Sequence, residues 1–305
     1  MSAKKSLATI IFLIAIALAM LAGLTVLFDP FSFFSGRGGD VGNGGVSGPL
    51  DENSVRLPIL MYHHFADEGS PGTVISAGMF ESQLKALRDA GYTSISFEEL
   101  YDFVNNGAPL PERPFILTID DGYMSVYETA FPILKKYDTK ATVFIIGVSH
   151  GKDLYKDTEF SIIPRFGDAE ALEMVRSGVV SIQSHSFDMH QHEPYETGPF
   201  RRGVLQREDE SLEEYIEAFR LDFGQAAVQI ENMVGMSPFV YSYPFGVSND
   251  LTDTMLSDMG VKVTLTIRTG LNTVTRGAQD SLFSLRRFNV PGDKQPGELL
   301  DMIAG

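Results

Sequence analysis

Four short clusters in the sequence carry the residue types that do chemistry: His63-His64, Asp120-Asp121-Gly122, His185-Ser186-Phe187-Asp188-Met189-His190 and Tyr243-Pro244-Phe245-Gly246. Two successive carboxylates at a strand end point in divergent directions. One can then bind a cation while the other faces a reacting water, and the following glycine permits a tight exit. On its own, Asp-Asp-Gly also reads as a turn with a helix-capping aspartate. His185 and His190 stand five positions apart, which suits a loop but not one face of a regular helix. Two histidines and one carboxylate around an open position are a common catalytic metal set. The chain has no cysteine, so any metal must be held by histidine and carboxylate.

Something must bring these clusters together. Short β-branched or apolar runs at Leu57–Tyr62, Tyr92–Ser96, Phe115–Ile119, Ala141–Ile146, Val179–Gln183, Phe239–Ser242, Val261–Ile267 and Phe288–Val290 read as strands. Between them, Met79–Ala90, Phe97–Asn105, Ser125–Tyr137, Asp168–Arg176, Asp209–Met233 and Leu251–Met259 read as helices, several ending at glycine. Such alternation predicts an α/β fold with parallel strands and helices outside. Seven or eight units favour a distorted, TIM-like (β/α) barrel over an open sheet. His63-His64, Asp120-Asp121, His185 to His190 and the Tyr-Pro-Phe-Gly run all follow predicted strands. They therefore fall on the carboxyl-end face where such barrels gather their catalytic groups.

The chain of 305 residues carries 24 Lys+Arg against 40 Asp+Glu, a net charge of −16. A polyanion would be repelled over most of that surface, which argues against a nucleic-acid partner. At the amino end, Lys4 and Lys5 precede an uncharged apolar stretch from Leu7 to Phe28. At about 1.5 Å per residue this stretch spans roughly 33 Å, enough to cross a bilayer core. Ala17-Leu18-Ala19 has the form of a signal cleavage site, but apolar residues continue past it, which favours an uncleaved anchor over a secretion signal. The lysines place the N-terminus in the cytoplasm and the rest outside. Residues 1–28 are thus expected to anchor the chain in the cell membrane by a single pass. Residues 29–54, which include the glycine-rich run Ser35 to Ser47, form a flexible linker, and residues 55–305 form one extracytoplasmic domain.

Thr118-Ile119-Asp120-Asp121-Gly122 resembles the T-[FI]-D-D-G motif of the polysaccharide deacetylase family, the NodB-homology or carbohydrate esterase family 4 group. Ser184 to His190 is similar to that family's S-H-[ST] metal motif, in the longer-spaced form of its poly-N-acetylglucosamine deacetylase branch. Leu60-Met61-Tyr62-His63 resembles the opening motif of that branch, and Tyr243-Pro244-Phe245-Gly246 its [YR]-P-[YF]-G motif. The resemblance covers roughly residues 57–290, in the expected order. It implies one divalent metal, usually zinc, held by Asp121, His185 and His190. It also implies Asp120 as the base that takes a proton from water, and the backbone N–H of Phe245, held by Pro244, as the oxyanion donor. Tyr243 and Pro244 would border the substrate, an acetylated polysaccharide.

The sequence departs from the family pattern in three places. Tyr241-Ser242-Tyr243 stands where many members carry an arginine that orients the base, which leaves the partner of Asp120 unassigned. Tryptophan is absent, so Leu265 or Leu285 is expected to fill the acetyl-pocket wall. The late L-x-x-H motif is Leu285-Arg286-Arg287-Phe288, without the histidine that would be the general acid, and protonation of the leaving amine passes to His63 or to water. Three functions fit: a membrane-tethered de-N-acetylase acting on a cell-surface or wall glycan, a glycan-binding pseudo-enzyme, and an O-acetyl esterase. The intact Asp120, Asp121, His185 and His190 favour an enzyme, because a binding module has no use for a base beside a metal.

Overall fold

A computed structural model describes residues 53–193, 195–196 and 200–304. The expected anchor and most of the expected linker lie outside them. Among the described residues no helix is long and apolar enough to cross a membrane. The strands in chain order are β1 (Ser54–Leu57), β2 (Ile59–Tyr62), β3 (His64–Phe65), β4 (Val74–Ile75), β5 (Thr93–Ser94), β6 (Pro114–Ile119) and β7 (Ala141–Ile145). They continue with β8 (Val180–Ser184), β9 (Val240–Ser242), β10 (Val263–Leu265), β11 (Asn272–Thr275) and β12 (Phe288–Asn289). The helices are α1 (Ala77–Asp89), α2 (Phe97–Asn106), α3 (Phe131–Tyr137), α4 (Asp168–Arg176), α5 (Leu212–Val234), α6 (Asp250–Asp258) and α7 (Pro296–Ala304). Local chemistry sets their starts. The Ser96 and Ser211 side chains accept the N–H groups of Glu99 and Glu214, whose carboxylates return to the serine N–H groups as reciprocal caps.

The main sheet runs β10-β9-β8-β7-β6-β2-β12, with β5 paired to β6 beside it, and its pairs are parallel. This is an α/β fold with a curled, half-barrel sheet. The ring expected from the sequence is closed only locally. Leu285 bridges Leu265 of β10, and three residues later β12 begins to pair with β2. The expected strand Leu57–Tyr62 is split at Pro58, which lacks the N–H needed to continue a ladder. Leu57, before the break, belongs to β1, which pairs antiparallel with β11. The expected Tyr92–Ser96 strand contributes only Thr93 and Ser94, and α7 is an element that the apolar periodicity did not reveal.

Strand alternation divides the core into two layers. On β6, Phe115, Leu117 and Ile119 join the cluster that also holds Phe80 and Leu84 of α1, whereas Ile116 faces the other way. Ile116 packs with Ile59, Val240 and Val263, near the amino ends of their strands, and with Phe97, Leu100 and Phe103 of α2. Apolar side chains thus fill the amino-end side of the curl and leave polar groups at the carboxyl ends. Leu117 is fully buried in this arrangement, so Leu117→Ala should cost about 2–5 kcal/mol in denaturant unfolding at neutral pH. Leu221→Ala, on the exposed face of α5, should stay within about 0.5 kcal/mol of the parent.

Candidate active site

Because β2, β6, β8 and β9 are parallel, their carboxyl ends open on one face, and the four sequence clusters meet there. A cavity of about 430 Å³ is bordered by His63, Asp120, Asp121, His185, His190 and Phe245, among others. Three residues around it hold left-handed backbone conformations without being glycine: Asp121 (φ 75°), Ser186 (φ 73°) and Phe245 (φ 56°). Such conformations cost of order 1–3 kcal/mol each and tend to be kept where function requires them. At Asp121 the reversal lets two successive carboxylates serve different partners.

The Asp121 carboxylate faces the imidazoles. Its Oδ1 lies 3.8 Å from Nε2 of His185 and 3.8 Å from Nε2 of His190, and the three ligand atoms fall within 4.8 Å of one another. Donors around a tetrahedral ion with bonds of roughly 2.1 Å stand about 3.4 Å apart, so the set is close to a coordination shell. Two further observations fit a cation. Asp121 Oδ1 is buried with no hydrogen-bond partner in the protein. His185 donates Nδ1–H to the carbonyl of Ser242 at 2.7 Å, which leaves the Nε2 lone pair directed at the site. Burial pushes the His190 pKa down to about 4, against the pull of Asp121, so this ring is neutral and free to ligate. Burial alone would raise the Asp121 carboxyl, but Arg165, His190, His63 and His185 outweigh it and hold the group below the usual range.

Asp120 turns the other way, into a partner that sequence reasoning left unassigned. Arg287, itself fully buried, donates Nη1 to Oδ1 at 2.7 Å and Nη2 to Oδ2 at 2.8 Å. The guanidinium also donates to Thr118 Oγ1, Ser242 Oγ and the carbonyl of Thr266. Burial would raise the Asp120 pKa, yet Arg287 and then His185 bring it below the ordinary carboxylate value. Asp120 Oδ2 stays 3.9 Å from His185 Nε2, beside the proposed ligands. Two clues to Arg287 stand in the sequence: the family's base-orienting arginine is missing from its usual place, and Arg287 directly precedes the apolar strand Phe288–Val290.

The other expected residues are distributed as follows. His63 borders the cavity and its Nδ1 is buried without a protein partner, whereas His64 is tied to Ser125 at 2.8 Å behind it. Tyr243 forms part of the cavity wall, but its hydroxyl is turned into the core and donates to Asp253 at 2.7 Å. Pro244 is buried and starts the turn Pro244–Gly246. Gly246 (φ 67°) closes that turn so tightly that a Cβ there would meet Ile267 Cγ1 at 2.3 Å. Leu265 and Leu285 do not form the acetyl-pocket wall: both belong to the core cluster, and Ile267 borders the cavity instead. Leu265 ends β10 facing inward, and Ile267, two residues on, has left the strand. Sequence reasoning also missed Asp222 of α5, whose buried carboxylate accepts the N–H groups of Phe187 (2.9 Å) and Asp188 (2.6 Å), midway between the two histidines.

On this α/β fold an Asp/His/His set that could hold a metal ion stands beside an arginine-held carboxylate. Residues 107–264, just over half of the chain, match the family model described as polysaccharide deacetylase, and the chain belongs to that family. A relative from Escherichia coli K12 named poly-beta-1,6-N-acetyl-D-glucosamine N-deacetylase is 27% identical over 233 residues, 70% of this chain and 34% of that protein. The chain thus spans about a third of that relative's length. The Bacillus subtilis protein YxkH is 28% identical over 242 residues, 79% of this chain and 74% of that one. The structure of IcaB from Ammonifex degensii superposes with a TM-score of 0.66 at 24% identity, over 82% of this chain and 97% of that one, which shows a shared fold.

The Asp120–Arg287 pair makes a signed prediction for stability. In the parent, the lowered Asp120 pKa contributes stability that is present above the unfolded value, about 3.9, and is lost as pH falls through the folded value. In Arg287→Met the carboxylate is buried without its cation, so its folded pKa rises above the unfolded value. The variant should be less stable than the parent by about 3–5 kcal/mol at pH 7, the usual cost of breaking a buried pair. The deficit should shrink as pH falls toward 4, in urea unfolding at both pH values. A deficit that is independent of pH would contradict the pairing.

Proposed function

We propose that the chain hydrolyses N-acetyl groups on an N-acetylglucosamine-containing polysaccharide, releasing acetate and leaving an amine. The observation that carries this reading is the division of labour between neighbouring carboxylates: Asp121 turned to two imidazoles, Asp120 turned to Arg287. Family membership and the name of the E. coli relative support the substrate class. Asp121, His185 and His190 would hold a divalent ion, zinc in our reading, which would supply Lewis-acid chemistry toward the acetamide carbonyl and water.

The chain's own groups account for the proton movements. Asp120, kept ionised by Arg287, takes a proton from the attacking water as its oxygen bonds to the carbonyl carbon. The backbone N–H of Phe245 is assigned to the charge developing on the carbonyl oxygen. His63, with a buried nitrogen that has no protein partner, gives a proton to the nitrogen as the C–N bond breaks. One water and one amide thus become one acetate and one amine, and Arg287 never has to part with a proton.

The two aspartates separate experimentally. Asp120→Asn should keep its metal and its glycan affinity while acetate release falls by about 10²–10⁴-fold, the usual contribution of a general base. Asp121→Asn should lose metal first, as read by metal analysis of the purified protein. Parental rates in Asp120→Asn would place the base elsewhere. A parent that binds glycans and releases no acetate from any of them would make the chain a binding protein.

The same proposal places the domain outside the cytoplasm, tethered through residues 7–28, on the strength of their length, apolarity and flanking lysines. An uncleaved anchor should keep residue 1 on the mature protein and hold it in the membrane fraction through alkaline washing. A mature N-terminus at or after Met20 would identify a cleaved signal.

A further inference from the structure

A surface helix normally turns polar residues to the side away from the core. On α5 that side instead shows Leu221 and Val228, 61% and 60% exposed and seven positions apart, with Leu212 52% exposed at the first turn. Leu221 and Val228 are the two most exposed large apolar side chains among the described residues. Leu212, Glu213, Ile216, Glu217, Arg220 and Leu221 border a groove on this surface. We propose that the groove is a self-association surface: it receives the same helix of a second copy of this chain, related to the first by a two-fold axis.

Helix geometry makes the groove. Leu212, Ile216 and Arg220 form one row of residues four apart, and Glu213, Glu217 and Leu221 form the row beside it. Rows at this spacing stand up as ridges, and a ridge of one helix fits between two ridges of another at a crossing angle of about 50°. Ile216 is half-buried and packs on the core cluster that holds Tyr215 and Phe219, so the domain itself supports the floor of the groove. Apolar side chains on both rows, Leu212 and Ile216 on one and Leu221 on the other, are withdrawn from water when a second helix lies across them.

The charges select a second copy and set its register. Arg220 lies three residues after Glu217, a spacing at which helix side chains pair. Even so, Arg220, Glu213 and Glu217 form no ion pair among the described residues. A parallel pair of helices, or an antiparallel one centred on Glu217, would set acidic side chains of the two copies against each other. An antiparallel pair centred between Ala218 and Phe219 instead sets Arg220 beside the partner's Glu217 and Leu221 over the partner's Ile216. The two-fold axis then repeats both contacts, so one surface supplies both halves of the match. The net charge of −16 repels a second copy at long range, but screening confines that repulsion to about 8 Å at physiological ionic strength. A contact made by one helix face is at the small end of specific interfaces, which run at roughly 800 Å² per partner, so the dimer is reversible. None of the six groove residues borders the cavity at Asp120 and Asp121, so the contact lies apart from the site.

The test is sedimentation equilibrium of the full chain in density-matched detergent. It compares the parent with Arg220→Glu, with Glu217→Arg and with the double exchange that carries both. Both positions are exposed, and circular dichroism checks that each variant keeps its fold. The parent should show a monomer–dimer equilibrium. Each single variant brings like charges together at both symmetric contacts and should weaken the dimer by at least about tenfold. An equimolar mixture of the two single variants should recover a mixed dimer, because the acidic side chains of one meet the basic side chains of the other. The double exchange keeps the parent's net charge and inverts each pair, so it should restore the dimer. A parent that stays monomeric up to millimolar concentration would leave this face to a different protein or a lipid surface and overturn the proposal. So would a dimer that both single variants leave intact, whose contact would then lie in residues 7–28 or on another face. A double exchange that dimerises no better than the single variants would overturn it as well.

Discussion

A carboxylate buried at the mouth of the curled sheet needs a cation, and the fold supplies it from its own closing segment. Arg287 lies between Leu285, which bridges β10, and β12, which pairs with β2. Its N–H donates to the carbonyl of Arg268 while its side chain grips Asp120, Thr118 and Ser242. The same few residues thus join the edges of the sheet and hold Asp120 in its ionised form. Thr118 on β6, Ser242 on β9 and the carbonyl of Thr266 just after β10 all accept from one guanidinium, so the relative placement of three strands is read at a single side chain. Arginine suits this role because its planar fork meets both carboxylate oxygens at once and still has donors to spare.

From that pair follows the division between neighbouring aspartates. With Asp120 fixed to Arg287, a β-like residue at 121 would send its carboxylate to the opposite side of the strand, away from the histidines. The left-handed turn at Asp121 ends the strand instead and aims the second carboxylate at His185 and His190. Gly122 (φ 68°) continues the turn where a Cβ would come within 3.0 Å of Ile145 Cγ2. Phe245 makes a comparable reversal after β9, and its ring lies 4.2 Å from that of His190. Local strain is concentrated where strands end and the site begins, while the apolar layers below, around Leu117 and Ile116, hold the strands that bear it.

How much of this was legible depended on whether a feature is local. Alternating apolar runs located most strands of the sheet, and the Asp-Asp-Gly, Ser-His and Tyr-Pro-Phe-Gly clusters named the residues that gather at its carboxyl ends. What escaped were relationships set by register. Arg287 and Asp120 are 167 positions apart, and only the closing pairing of β12 with β2 shows that they meet. Tyr243 does border the cavity, but only the fold shows that its hydroxyl is committed to Asp253, which also accepts from Thr264 and Ser284. Leu265 and Ile267 are equally apolar in sequence, and the choice between them turns on where β10 stops. The missing late histidine and the missing upstream arginine looked like two separate losses. In space, Arg287, one residue before the position of the missing histidine, holds Asp120 where the upstream arginine is absent.

Asp222 shows by contrast what a cation does for a buried carboxylate here. Asp120 and Asp121 are held below the ordinary carboxylate range because Arg287 and Arg165 outweigh their burial. Asp222 is buried as well, but its hydrogen-bond partners are the neutral N–H groups of Phe187 and Asp188, and burial pushes its pKa up to about 6. The folded chain therefore takes up this proton at a higher pH than the unfolded chain does. The group's contribution to stability is greatest below about 3.9 and declines as pH rises through about 6. Two amide donors without a counter-ion recover only part of what burial costs an ionised group. That cost is accepted at the base of the loop between His185 and His190, where an ionised carboxylate can receive two consecutive amides and pin the span that sets the separation of the two imidazoles.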